Sequence, residues 1–189
     1  MKFHRRASRK CLGLLIILFV PMLQNVGVSV ARAELVCGPE ENWTFCFIEP
    51  RATETPVIYS RGNSADKRSA LLYIACSNRT PYVYLSFKPT EFNPSVPDDN
   101  VSRGVMEVRV DRKPIKRYKF VTIISSDKTK VDIHVNSSKD MKLITSSMMT
   151  GKKISFKIPE IGGFIEPMFS LNGFSKHDAS FKKYGCLLK

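Results

Sequence analysis

Acidic residues and histidines are scarce in this sequence, and long apolar runs are confined to its beginning. Only 17 Asp and Glu stand against 30 Lys and Arg, a formal net charge of +13 at pH 7. Taken whole, that balance suits a nucleic-acid binder. There is no C-x-x-C pair with a nearby histidine, so zinc has no donors at ligand spacing. There is also no G-x-S-x-G elbow, no H-E-x-x-H and no Gly-Lys-Ser/Thr phosphate loop. The corresponding hydrolase, metalloprotease and nucleotide-binding classes lose their signatures. Beyond residue 33 the histidines are His134 and His177, and the sequence fixes no nucleophile beside either. Asp98-Asp99-Asn100 lacks the glycine and closing glutamate of a calcium loop and reads as a solvated turn. The reading is therefore a binding protein rather than an enzyme, with no cofactor and no metal.

The opening segment changes the charge arithmetic. Lys2, Arg5, Arg6, Arg9 and Lys10 precede an apolar run from Cys11 to Val20, and Ala31-Arg32-Ala33 follows. This is the three-part form of a secretory signal peptide over residues 1–33. Its apolar run is about half the roughly 20 residues that span a bilayer as a helix. Residues 1–33 hold six basic residues and no acidic one, leaving 24 basic against 17 acidic, a net +7. Residues 34–189 are then expected as one exported domain, long enough to bury a core. Nothing in them is apolar for long enough to be a transmembrane anchor. A periplasmic or secreted location follows, and nucleic acid becomes an improbable partner.

Cysteine usage agrees with export. Cys11 lies within residues 1–33, and Cys37, Cys46, Cys76 and Cys186 remain. An even count behind a signal peptide implies two disulfides. Of three pairings we favour Cys37–Cys46, closing a small loop around Gly38-Pro39, with Cys76–Cys186 tying the C-terminus to a core strand.

Most of the remainder reads as strand. Residues 43–48 are rich in strand formers, and 70–76 with 82–87 form a hairpin across the turn at 77–81. Val83, Leu85 and Phe87 share one face, opposite Tyr82 and Tyr84. Residues 53–69 are polar with a turn at Arg61-Gly62-Asn63, and the Pro-containing stretch 88–104 reads as a long loop. Met106, Val108 and Val110 alternate with Glu107, Arg109 and Asp111; 115–124, 131–135, 154–158 and 168–171 add further strands. Ser138 would cap a helix through Met149 ended by Gly151. Ser175 to Asp178 reads as a capping box opening a short helix before Gly185. The expected fold is mainly β, a sandwich or a partly closed antiparallel barrel, with one or two short helices.

The early cysteine pair, Leu72-Tyr73-Ile74-Ala75-Cys76, Asn78-Arg79-Thr80 and the strand at Tyr82-Tyr84 resemble small exported bacterial proteins of the TagO/VasI kind. So do Val108-Arg109-Val110-Asp111, the segment 154–158, and Phe169 to Gly173 before a terminal helix and Cys186. The resemblance spans roughly residues 35–187 and implies an accessory of the type VI secretion system. A second, weaker resemblance, through Trp43 and Cys46, is to the invasion-associated locus B proteins.

The positive chemical signal is charge. Arg109, Arg112, Lys113, Lys116, Arg117 and Lys119 crowd together, offset by Asp111. On a hairpin, alternate members would line one face as a ribbon for phosphate, lipid A, a glycan or other anionic envelope polymer, or an acidic protein partner. The alternative is a solvated edge hairpin whose lysines discourage edge-to-edge pairing. Tyr82 and Tyr84 are candidate surface aromatics for a peptide or sugar ring, unless the C-terminal helix covers them. Sequons at Asn42, Asn78, Asn100 and Asn136 admit a secreted eukaryotic glycoprotein as a second setting. The functional expectation is an exported, non-catalytic envelope binding protein serving a secretion apparatus. The alternative is an inhibitor or immunity-type protein whose 88–104 loop plugs an enzyme's cleft.

Overall fold

A computed structural model describes residues 34–37, 42–49, 55–77, 79–94 and 101–188. The expected signal peptide, Gly38-Pro39, Asp98-Asp99-Asn100 and the sequons at Asn78 and Asn100 lie outside the described residues. The chain runs β1 (Glu34–Cys37), β2 (Thr44–Glu49), β3 (Thr55–Asn63), β4 (Ser69–Ser77), β5 (Thr80–Phe87), β6 (Val101–Val110), β7 (Lys116–Ile124) and β8 (Val131–Val135). It continues with α1 (Ser138–Met149), β9 (Lys153–Glu160), β10 (Gly163–Ile165), β11 (Met168–Ser170), a 3-10 turn (Phe174–His177) and α2 (Asp178–Lys183).

Eight of these strands close on themselves in the order β3-β11-β9-β6-β7-β8-β5-β4, with β4 returning to β3. Every pairing around the ring is antiparallel. The fold is thus a closed barrel, which corrects the sandwich alternative. The period-2 pattern is common to both architectures, and pairing at the two outer edges decides between them. Strands β5 to β8 form a Greek key: β6, β7 and β8 are joined by hairpins, and β8 returns beside β5. β2 extends the sheet along the first half of β3, and β1 flanks β2.

Alternation fills the barrel. Ile58, Leu72, Ile74, Val83, Leu85, Met106, Val108, Phe120, Ile133, Ile154, Phe156 and Phe169 are buried within it. The barrel core is therefore packed side chain rather than an open lumen. The 88–94 segment crosses one end of the barrel, where Phe92 stacks on Phe87 at 5.0 Å between ring centroids. At the other end α1 packs against β5 and β8 through Met141, Ile144, Thr145 and Met148. Trp43 lies against Phe174 at 4.9 Å, and Phe45 against Phe181 of α2 at 6.4 Å. The bridges are Cys37–Cys46, with Cα atoms 4.1 Å apart, and Cys76–Cys186, at 6.0 Å. The second fastens the residues after α2 to the end of β4. No helix among the described residues is long and apolar enough to cross a membrane.

Four local expectations are corrected. Arg61-Gly62-Asn63 is the end of β3, not a turn; Gly62 is in strand because β11 passes too close for a side chain, with Phe169 Cδ1 2.6 Å from where a Cβ would stand. β6 begins at Val101, so the final residues of the supposed 88–104 loop are strand. Ser137, not Ser138, caps α1, its hydroxyl accepting from the Asp140 amide at 3.3 Å. The Ser175–Asp178 capping box is not formed: a 3-10 turn occupies it, and Asp178 pairs instead with Lys182 at 2.8 Å.

Candidate functional site

The basic stretch occupies the β6–β7 hairpin, and strand alternation divides it. Glu107 faces Arg117 and Val105 faces Lys119 across the hairpin, all on the outer surface of the barrel. Arg109 is also outward. Lys116 faces Val108, whose side chain points inward, so Lys116 belongs to the opposite face. Arg112 and Lys113 ride the connecting turn, where Lys113 Nζ donates to Thr150 Oγ1 at 3.2 Å at the end of α1. The six cations therefore do not form one ribbon. Asp111 also departs from its expected part as an outward counter-charge. With φ 53° it turns its carboxylate onto backbone N–H groups, accepting from Lys152 and Lys153 at 3.0 Å.

Register sets out the outer face in rows. Val101 lies beside Ile123, Arg103 beside Val121, Val105 beside Lys119, and Glu107 beside Arg117. Across the other edge of β6, Glu107 lies beside Lys157 and Arg109 beside Ser155. Met168 follows beside Ser155, and Phe164 pairs with Pro159 near the tip of the β9–β10 hairpin. The Arg117 guanidinium donates twice to Glu107 Oε1, at 3.0 and 3.1 Å. Arg117 is 76% exposed, so this is a surface pair of little stabilising value. Ser155 Oγ donates to Glu166 Oε1 at 3.0 Å. Lys157 Nζ stands 4.1 Å from the Phe164 ring centroid, a cation–π contact. The Arg109 guanidinium has no hydrogen-bond or ion-pair partner among the described residues. Arg109, Lys157, Ser155, Glu107, Glu166 and Ile115 line a shallow cleft of about 120 Å³.

Tyr82 and Tyr84 join a second cluster on the outer face. A row of pairings carries Tyr59, Tyr73, Tyr84 and His134 across β3, β4, β5 and β8. Tyr73 and Tyr84 stack at 4.7 Å, and Tyr84 and His134 at 5.2 Å. Tyr82 Oη and His134 Nδ1 share a hydrogen bond of 2.8 Å. Tyr73 is buried and Tyr82 and Tyr84 are half-buried within this cluster, not free surface rings. The helix expected to cover them is elsewhere: α2 meets Phe45, which shares the inner face of Ile58. Burial pushes the Tyr73 and Tyr84 phenols well above their usual range, with neighbouring Tyr and Asp132 charges adding to it. Burial also lowers the His134 imidazole, which Asp132 partly opposes. His134 is accordingly a half-buried ring held below the usual imidazole range, rather than the freely solvent-facing residue expected. Its ring stack on Tyr84 and its bond to Tyr82 fix the ring within this cluster.

Sequence reasoning missed Ser155, Lys157, Phe164 and Glu166. The alternation in 154–158 turns Ser155 and Lys157 outward, but only the pairing of β9 with β6 sets them beside Arg109. Among the described residues no group of three or more His, Cys, Asp or Glu could hold a metal ion.

No family model and no curated protein matches the chain. Among solved structures, it is similar to invasion associated protein B from Bartonella henselae, with a TM-score of 0.49 and 12% identity, covering 79% of this chain and 96% of that one. That neighbour carries the name of the second resemblance drawn from Trp43 and Cys46. The comparisons give nothing for the TagO/VasI resemblance.

Proposed function

We propose that this chain is an exported, non-catalytic binding protein of the cell envelope, an accessory to a secretion apparatus. It meets an anionic partner through the outer face of β6, β7 and β9. The observation that carries the reading is the Arg109 guanidinium, outward on a strand beside Ser155 and without a partner among the described residues, with Lys157 and the exposed Arg117 one row away across Glu107 and Lys119 two rows away across Val105. A guanidinium held on a rigid strand is pre-oriented for carboxylate or phosphate. The two disulfides are compatible with a place outside the cytoplasm.

The test is retention of the exported protein by envelope extract. Converting Arg109 and Lys119 to Glu should weaken retention by about tenfold or more, as reversal of exposed interface charges does. Unchanged retention would remove the outer face from the function.

A further inference from the structure

We propose that the outer face of β6, β7 and β9, with the β9–β10 hairpin, docks onto the surface of an anionic lipid bilayer. The inference rests on the reading above and names its anionic partner. Three observations carry it.

The first is the pattern of the rows. Arg103, Arg109, Arg117, Lys119 and Lys157 oppose Glu107 and Glu166, and Glu107 is already engaged by Arg117. Between these cations stand Val101, Val105, Ile123, Phe164 and Met168, all exposed large apolar side chains. A soluble polyanion calls for the cations alone, and a solvated strand face leaves Phe164 and Val105 unexplained. Interleaved cations and apolar groups match a headgroup region, where phosphates lie just above acyl chains.

The second is the hairpin tip. Ile161 is 59% exposed and Phe164 53% exposed, with Gly162 and Gly163 between them. Lys157 over the Phe164 ring keeps an ammonium and an apolar ring on one patch. The third is shape. The outside of a closed barrel is convex, and its cleft of about 120 Å³ falls well below the roughly 300 Å³ at which ligand pockets begin. Such a face fits a deformable plane better than it encloses a molecule. An acidic protein is disfavoured because protein interfaces gather their apolar groups into a core depleted of charge, whereas here Val105 and Phe164 each adjoin a lysine.

The experiment is co-sedimentation of the exported protein with vesicles of phosphatidylcholine alone or containing phosphatidylglycerol, at an ionic strength of about 0.15 M. Three paired variants accompany it: R109E with K157E, V105S with F164S, and K139E with K142E on α1 as a charge-matched control. Near-UV circular dichroism checks that each is folded. We expect binding to the anionic vesicles only. The Arg109 and Lys157 pair should weaken it by about tenfold or more, the Val105 and Phe164 pair by several-fold, and the α1 pair by less than about twofold. Equal loss in the α1 control would reduce the effect to net charge and overturn the proposal. An inert apolar pair would overturn it too, pointing to a soluble polyanion. If vesicles do not bind while envelope extract still retains the protein through Arg109, the partner is an acidic protein or a soluble polyanion; the lipid proposal then falls and the proposed function stands. Loss of both would sink both.

Discussion

His134 shows how a residue's meaning is set by its neighbours across the sheet. In sequence it is an outward strand position beside Asp132. In the barrel it stacks on Tyr84, bonds to Tyr82 and titrates below the ordinary histidine value of 6.5. The folded protein therefore binds this proton less readily than the unfolded chain does. Its contribution to stability is present above about pH 6.5 and is lost as pH falls from there toward the depressed folded value. Thermal unfolding followed from about pH 7.5 to about pH 5 should fall more steeply for the native protein than for His134→Gln; parallel slopes would show that the ring is not held neutral. Gly62 makes the same point through space instead of charge. A Cβ there would strike the Met168 carbonyl oxygen and the Phe169 ring, and a backbone oxygen cannot swing away. Gly62→Ala should cost about 1–3 kcal/mol, an overpacking penalty, read as a lower urea midpoint. An unchanged midpoint would mean that β11 is free to withdraw. The inward set Met106, Val108 and Val110 was legible from alternation alone. The burial of His134 and the need for glycine at 62 were not, because both depend on strands distant in the chain.

At the scale of elements, the sequence spoke clearly where local signals were strong. The 70–76 and 82–87 pair, the helix through Met149 and the strand at 131–135 each carry a period and a turn. It spoke poorly for β3 and for the start of β6, where Gly62, Gly104 and polar residues mimic loop composition. Those glycines are in strand because a neighbour fills their space: Phe169 at Gly62 and the Phe120 ring at Gly104. The two disulfides should differ in their effect. Cys76–Cys186 spans 110 residues and Cys37–Cys46 only 9. By loop entropy the first should contribute about 4–5 kcal/mol and the second about 2–3 kcal/mol. Denaturant unfolding of the two double serine variants should rank them in that order. The reverse order would mean that the C-terminal segment is held mainly by Phe181 and Leu188 in the core, not by the bridge.

For the molecule as a whole, the candidate face and the closure of the barrel arise from the same pairings. Sequence gave the cations on β6 and β7, yet Lys157 and Phe164 join them only because β9 lies between β6 and β11. Closure itself has one weak seam. β3 and β4 pair continuously from Val57↔Ala75 to Asn63↔Ser69, whereas β3 and β11 share the single pair Met168↔Asn63. β11 is held chiefly from its other side, by β9 and by the Leu171 amide bonded to Lys152 O at 2.8 Å. On the seam side Trp43 also ties it, its Nε1–H donating to Ser170 O at 2.9 Å. Local opening follows the weakest hydrogen-bonded edge, so amide exchange should begin there. Peptides covering 166–171 are expected to exchange ahead of those covering 71–76 and 118–123. Trp43→Phe removes the donor while keeping most of the ring packing against Phe174, so it should hasten exchange in 166–171 and leave β4 and β7 as before. Equal protection of β11 and β4 would mean that the barrel opens only by global unfolding, with Phe169 in the core outweighing the missing ladder.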